Sequence, residues 1–409
     1  MRIAIIGGGA AGLAAAIGAA RARTDDQDEI MILEKMDRVG RKILATGNGR
    51  CNISNEDMGV SHYHPDPAFV EKVFTQVTPA DVLEFWESLG LELVSEEGRL
   101  YPASLQASAV LDALRAEAER LGVRTACETP VDQIVPGKKG FRLVSQGRDL
   151  GRFHRVIITA GGKASPQFGA DGDGIKLAAG LHHGYAGLRP ALVRLKCRNP
   201  YLKSLAGCKI QAGARLSISG HTVQTGAGEI LFTAEGLSGP PILDLSREAL
   251  APGAEAVIHL NLEPGMREGE CFWWLQQRCT RFPYMNLPAM LAGILNKRLI
   301  GPLLKSCGLG DIPCGSVSKP QVQKLAKLLQ DWEFPVIGDA GWREAQVTVG
   351  GVLTEEVDPA TMESIKCPGI FWAGEVLNID GDCGGYNLHW AAASGLLAGH
   401  TAALPNDKD

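Results

Sequence analysis

The chain has 409 residues, 41 Lys and Arg against 46 Asp and Glu for a net charge of −5, and 45% hydrophobic residues. That length suits two or three domains with a large core, the acidic balance gives no electrostatic reason to expect nucleic acid, and no uncharged apolar run reaches the roughly 18 residues of a membrane span. Ten cysteines without a C-x-x-C pair argue against a structural zinc site and a disulfide framework. Strand residues begin at Arg2 with no apolar signal segment before them, so a cytoplasmic protein with no membrane partner is expected.

The first element is a strand that runs into glycines, Ile3-Ala-Ile-Ile-Gly-Gly-Gly-Ala-Ala-Gly12. Gly7, Gly9 and Gly12 have the G-x-G-x-x-G spacing that gives a tight turn, a close backbone approach to a pyrophosphate and close helix–strand packing. A helix follows, then the strand Ile30-Met-Ile-Leu33 ending on Glu34, which is 22 residues after Gly12 (34 − 12). A carboxylate at about that distance, roughly 20 residues on, accepts ribose hydroxyls and disfavours a 2′-phosphate, so the nucleotide is FAD or NAD rather than NADP.

Cys51 stands in the glycine-rich run Thr46-Gly-Asn-Gly-Arg-Cys-Asn52 and no resolving thiol follows it closely, which weighs against thiol redox chemistry. Arg155-Val-Ile-Ile-Thr-Ala-Gly-Gly162 reads as a second buried strand ending in glycines, with a ligand-proximal turn. Gly169 to Gly174 reads equally as a turn with an N-cap or as a contact. From about residue 191 the pattern alternates, as in Arg215–Ser219 and Glu229–Thr233, and predicts an antiparallel β insert. Between about 264 and 332 the period is helical, and Phe272-Trp-Trp-Leu275 is taken as core. Near the end, Gly369–Glu375 reads as a strand running into glycine, and Asp380–Asn387 leads into an alanine-rich helix from about Leu388 to Ala403. Such a helix start would favour negative charge on a reduced isoalloxazine, which an NAD-only dehydrogenase does not need. The cofactor expected is therefore FAD.

The runs Gly40–Asn52, Phe232–Pro240, Gly350-Gly-Val352, Gly374-Glu375 and Gly384-Gly-Tyr-Asn387 resemble, end to end, the BaiN-type bacterial FAD flavoproteins. That group includes aminoacetone oxidase and the bile-acid-inducible flavoprotein. The resemblance implies an α/β fold: a discontinuous Rossmann-like FAD domain of residues 1–190 and 345–409, a β-rich insert of 191–263 and 333–344, and a small helical insert of 264–332. It puts Gly7, Gly9, Ala10, Ala11 and Gly12 on the pyrophosphate, Glu34 and Lys35 on the adenosine ribose, and the Val131 backbone on the adenine. Arg41, Lys42, Thr46, Gly47, Asn48, Gly49, Arg50, Cys51 and Asn52 would line the flavin, and Ala160 and Gly161 would pass close to it. Gly374, Glu375 and Asp380 would reach the ribityl and phosphate side, with Gly385, Tyr386, Asn387 and Leu388 at the ring.

Chemistry then belongs to the flavin, with Tyr386, His389 and Tyr101 as candidate proton donors. His389 is more often a packed residue than an acid at such a place, and no metal is expected. The function expected is an FAD-dependent oxidoreductase acting on a small organic substrate. NAD(P)H is a possible reductant that would enter the substrate cleft, since no second fingerprint follows residue 34. Within the oxidoreductase class the options are an amine oxidase of the aminoacetone oxidase kind using oxygen and a reductase of activated C=C bonds; the other classes are a non-enzymatic flavin-binding redox sensor marked by Cys51 and a nucleic-acid-modifying flavoprotein, which the acidic balance disfavours.

Overall fold

A computed structural model describes residues 1–25, 27–267 and 269–405. The chain divides into two units, Met1–Pro190 with Trp342–Asp409, and Ala191–Gly341.

The first unit is built on five parallel strands, β1 (Arg2–Ile6), β2 (Glu29–Leu33), β3 (Arg124–Ala126), β4 (Arg155–Ile158) and β5 (Ile370–Trp372), in the order β5-β4-β1-β2-β3. The order runs outward from β1 through β2 to β3 and then reverses through β4 to β5. An open parallel sheet binds ligands beyond the carboxyl ends of its strands at such a reversal, here between β1 and β4. The near-continuous burial of Ile3 to Ile6 and of Val156 to Ile158 is what a sheet covered on both faces demands.

Two helices rich in alanine, α1 (Ala10–Ala22) and α2 (Tyr386–Ala403), pack together against the sheet. They touch almost backbone to backbone, since a Cβ at Gly395 or Gly399 would lie 2.5 Å or 2.1 Å from the carbonyl oxygens of Ala11 and Ala15. No helix among the described residues is long and apolar enough to cross a membrane.

The second unit holds a closed barrel of the strands Leu195–Cys197, Gly236–Ser238, His221–Phe232, Lys209–Ile218, Ala256–Asn261 and Trp332–Asp339. Alternation puts Leu216, Ile258, Leu260, Phe232, Trp332 and Phe334 in its core. Between its last two strands lie the helices Glu270–Arg281, Leu287–Ala292, Lys297–Cys307 and Lys319–Gln330. One core expectation is corrected here. In Glu270–Arg281 the buried line is Cys271, Leu275 and Cys279, spaced by four, and Trp273, two positions out of phase with it, is 63% exposed.

Candidate functional site

The strand-order reversal holds an open cleft of about 780 Å³, solvent at its mouth included, at the carboxyl ends of β1, β2 and β4. Its walls contain Gly7, Gly8 and Gly9 from the first turn, Glu34 and Lys35 from the end of β2, Thr159, Ala160 and Gly161 from the end of β4, and Arg38, Arg41, Lys42, Val131 and Glu375 from three further segments.

The first turn is shaped by glycine geometry. Gly7 has φ of +103°, and a Cβ there would lie 2.7 Å from the carbonyl oxygen of Thr159, so no other residue fits comfortably. Gly12 lies behind the turn, where an added Cβ would come within 1.9 Å of the Gly7 carbonyl oxygen. At Gly9 the same Cβ meets nothing within 4 Å. Gly9 is also the N-cap of α1 and supplies no side-chain cap, so the helix start keeps N–H groups for an anion.

Glu34 is buried, and its carboxylate accepts hydrogen bonds from the Gly8 amide at 2.7 Å and the Met36 amide at 2.8 Å. Those bonds fix it at the mouth of the turn with lone pairs left for hydroxyl donors. Lys35 does not stand free beside it. Its ammonium reaches Asp171 at 2.5 Å and Asp173 at 2.8 Å; burial opposes its charge, but the two carboxylates outweigh that and raise its pKa. Lys42 pairs with Glu375 at 2.6 Å, whose other oxygen accepts from the Thr348 amide at 2.9 Å. Arg41 pairs with Asp37 at 3.0 Å.

Ten of the residues singled out from the sequence line this cleft, and the others do not. Ala10, Ala11 and Gly12 lie in the first turn of α1. Gly374 is packed under α2, accepting from the Trp390 indole at 3.3 Å and donating to the Ser394 hydroxyl at 3.0 Å. Residues Thr46–Asn52 and 380–388 both reach the segment Ser54-Asn55, the first through Asn52 and the second through Gly384 and Gly385. Asn52 donates to the carbonyls of Ser54 and Leu100, Arg50 lies 4.5 Å over the Tyr101 ring, and Asn387 donates to the Gly381 carbonyl at 2.7 Å. Gly385 packs onto the Ser54 backbone with a positive φ of +99°. As the N-cap of α2 it too offers no side chain.

Cys51 is fully buried, and burial pushes its thiol up to about 11. His389 is also fully buried, and desolvation pushes it down to about 3. Its Nδ1 shares a 2.8 Å hydrogen bond with the Ser54 hydroxyl, while Nε2 finds no partner among the described residues. A neutral, enclosed imidazole is a packed residue rather than a proton donor.

Sequence reasoning passed over Gly8, Arg38 and Thr159, and it left Gly169–Gly174 undecided. Gly169, Ala170 and Asp173 line the cleft, while Gly172 is the N-cap of the helix Asp173–Gly180. It also missed His62 and His64, which both reach Asp382, at 3.0 Å and 3.1 Å. The only local signal was a pair of histidines around Tyr63.

Residues 1–401 match the family described as HI0933-like protein Rossmann domain. The chain is 38% identical over 409 residues to the 3-dehydro-bile acid delta(4,6)-reductase of Clostridium scindens, covering 98% of this chain and 99% of that protein. It is 32% identical over 398 residues to the ribosomal RNA dihydrouridine synthase of Escherichia coli, covering 95% of each. Among solved structures, a 3-ketosteroid-delta4-(5alpha)-dehydrogenase from Rhodococcus jostii shares the fold with a TM-score of 0.51 at 14% identity, over 98% of this chain and 96% of that one. The chain therefore belongs to the HI0933-like, BaiN-type family of Rossmann-fold flavoprotein oxidoreductases.

Proposed function

We propose that this protein is an FAD-dependent reductase that saturates a C=C bond conjugated to a carbonyl in a small organic substrate. One observation carries the reading. The cleft at the strand-order reversal combines a glycine turn, an uncapped helix start at Gly9 and a fixed Glu34 carboxylate, the parts an ADP moiety needs. Two full-length relatives support the bond type. One is named for a 3-oxo substrate reduced at the 4,6 positions, and the other for turning uridine into dihydrouridine, again by saturating a C=C bond conjugated to a carbonyl.

The residues fit the cofactor. Gly7, Gly9 and the first turn of α1 would hold the pyrophosphate, and Glu34 would accept the ribose hydroxyls. The Lys42–Glu375 pair would face the ribityl side, and the Gly385–Leu388 turn would meet the ring. Bound FAD would supply hydride transfer. The chain's own part is to seat the substrate, exclude water and deliver one proton to the carbon beside the carbonyl. With His389 neutral and enclosed, Tyr386 and Tyr101 are the candidates for that proton. A thiol-based sensor is disfavoured, because a buried Cys51 pushed up to about 11 holds no thiolate at neutral pH.

NAD(P)H is the proposed reductant, entering the substrate cleft. Anaerobic mixing of the holoprotein with NADH and NADPH, followed at the oxidised flavin band near about 450 nm, should bleach the flavin with one of them. The reduced protein should then consume a 3-oxo-Δ4,6 steroid. No bleaching by either nucleotide, together with bleaching by a primary amine, would sink this reading in favour of an amine oxidase.

A further inference from the structure

The loop that enters α2 is clasped by a segment from far earlier in the chain. Asp380 and Gly381 pair antiparallel with His64 and Tyr63, and the Asp382 amide donates to the His62 carbonyl at 3.0 Å. The Tyr63 hydroxyl donates to the Tyr386 carbonyl at 3.1 Å. Asp382 then faces two imidazoles, His62 Nδ1 at 3.0 Å and His64 Nε2 at 3.1 Å. The other nitrogen of His62, Nε2, faces Asp57 at 3.3 Å. A histidine with a carboxylate at each nitrogen must donate from both, and so carries a positive charge. Its ring lies flat on Tyr386, with centroids 4.3 Å apart and planes 18° from parallel.

We propose that His62, held as a cation between Asp382 and Asp57 and stacked on Tyr386, is a positioning residue that offsets the Asp382 carboxylate behind the Gly384–Asn387 turn and so keeps the reduction potential of the bound flavin above the value that the carboxylate alone would impose. This rests on the reading above that the turn faces the flavin ring. A positive charge close to the ring favours the electron-rich, reduced state, and a charge set in a partly buried stack is less screened than one in water. The start of α2 points the same way, so the two effects add.

The other titratable groups around His62 are few. His64 shares Asp382, Tyr63 and Tyr386 are the neighbouring phenols, and the helix Pro67–Phe74 that packs on this segment carries Glu71 and Lys72 exposed to solvent. Partial burial works against the charge, yet the bonds to Asp382 and Asp57 prevail and raise the His62 pKa. Asp382 is likewise held below the usual carboxylate range, because the bonds from His64 and His62 outweigh its burial.

The test is the midpoint potential of the holoprotein measured across pH. His62→Gln should lie below wild type near neutral pH, with the gap closing as pH rises and wild-type His62 loses its proton. His62→Arg keeps the cation and should hold the higher potential into the alkaline range, which a purely packing role would not produce. Tyr386→Leu reports the placement through the flavin's absorbance and fluorescence. If both stay unmoved, the turn is not at the ring, and the reading and the inference fall together. If Tyr386→Leu moves them but His62→Gln matches the wild-type potential at every pH, the inference alone is overturned.

Discussion

At the scale of single residues, the glycines of the first turn separate folding from binding. A Cβ at Gly12 would come within 1.9 Å of the Gly7 carbonyl oxygen, a backbone atom that cannot swing aside. Gly12→Ala should therefore cost about 1–3 kcal/mol, the usual range for overpacking. Gly9 has open space in the direction of its missing side chain. Gly9→Val should thus leave the apoprotein as stable as wild type while its isopropyl group fills the pyrophosphate position. Thermal melts of the apoproteins and the flavin-to-protein absorbance ratio distinguish the two. The expectation is a Gly12→Ala variant with a lowered Tm, and a Gly9→Val variant that is folded and colourless. A yellow Gly9→Val protein would remove the pyrophosphate from this turn.

Between elements, the most informative polar network joins three pieces of the barrel unit. The Ser217 hydroxyl bonds His259 Nε2 at 2.8 Å, His259 Nδ1 bonds Asp331 at 2.7 Å, and Arg215 reaches the same Asp331 oxygen at 2.7 Å. The order of atoms is that of a hydrolase triad, but Ser217 is 3% exposed and its strand is paired on both sides, which leaves no free amides for an oxyanion. Arg215 also occupies the carboxylate that a metal at His259, Asp331 and Glu333 would need. The network is structural, tying Lys209–Ile218 and Ala256–Asn261 to the end of Lys319–Gln330. Asp331→Ala strands two donors and should cost about 1–3 kcal/mol in urea unfolding, whereas Glu333→Ala should be nearly neutral; equal effects from the two would refute this role. None of this was legible in the sequence, because each bond joins residues far apart along the chain. The motifs at the ends of β1, β2 and β4 were legible because turn, strand and helix follow one another locally. The clasp of His62 and His64 on Asp382 was not, since it spans about 320 residues. Trp273 was misread because its residue type outweighed its helical phase.

For the whole molecule, acid stability is set by where its buried histidines sit on the pH axis. His389 titrates at about 3 in the folded chain against an ordinary value of 6.5, because burial penalises its charge. Below about pH 6.5 the unfolded chain therefore binds a proton that the folded chain refuses. The stability His389 contributes is fully present above 6.5 and drains away as pH falls toward 3, by at most about 1.4 kcal/mol per pH unit. His183, also lowered by burial, pulls in the same direction. His62 works the other way: its raised pKa gives a contribution that is complete below 6.5 and is lost as pH rises through the folded value. The carboxylates held low, Asp57, Asp173 and Asp382 with ordinary values of 3.8 and Glu29, Glu96, Glu117 and Glu356 with 4.5, lose their contributions only below those values. In the interval from about pH 5 to 6.5 the carboxylates held low keep their contributions, and Glu263, raised by burial, acts alike in wild type and variant, so a comparison at His389 isolates the buried imidazole. In urea titrations of the holoprotein across that interval, wild type should lose stability with acid, and His389→Gln, which cannot take up the proton in either state, should lose less. Parallel slopes would mean that His389 is protonated in the folded chain, with an acceptor on the Nε2 side that the described residues do not supply.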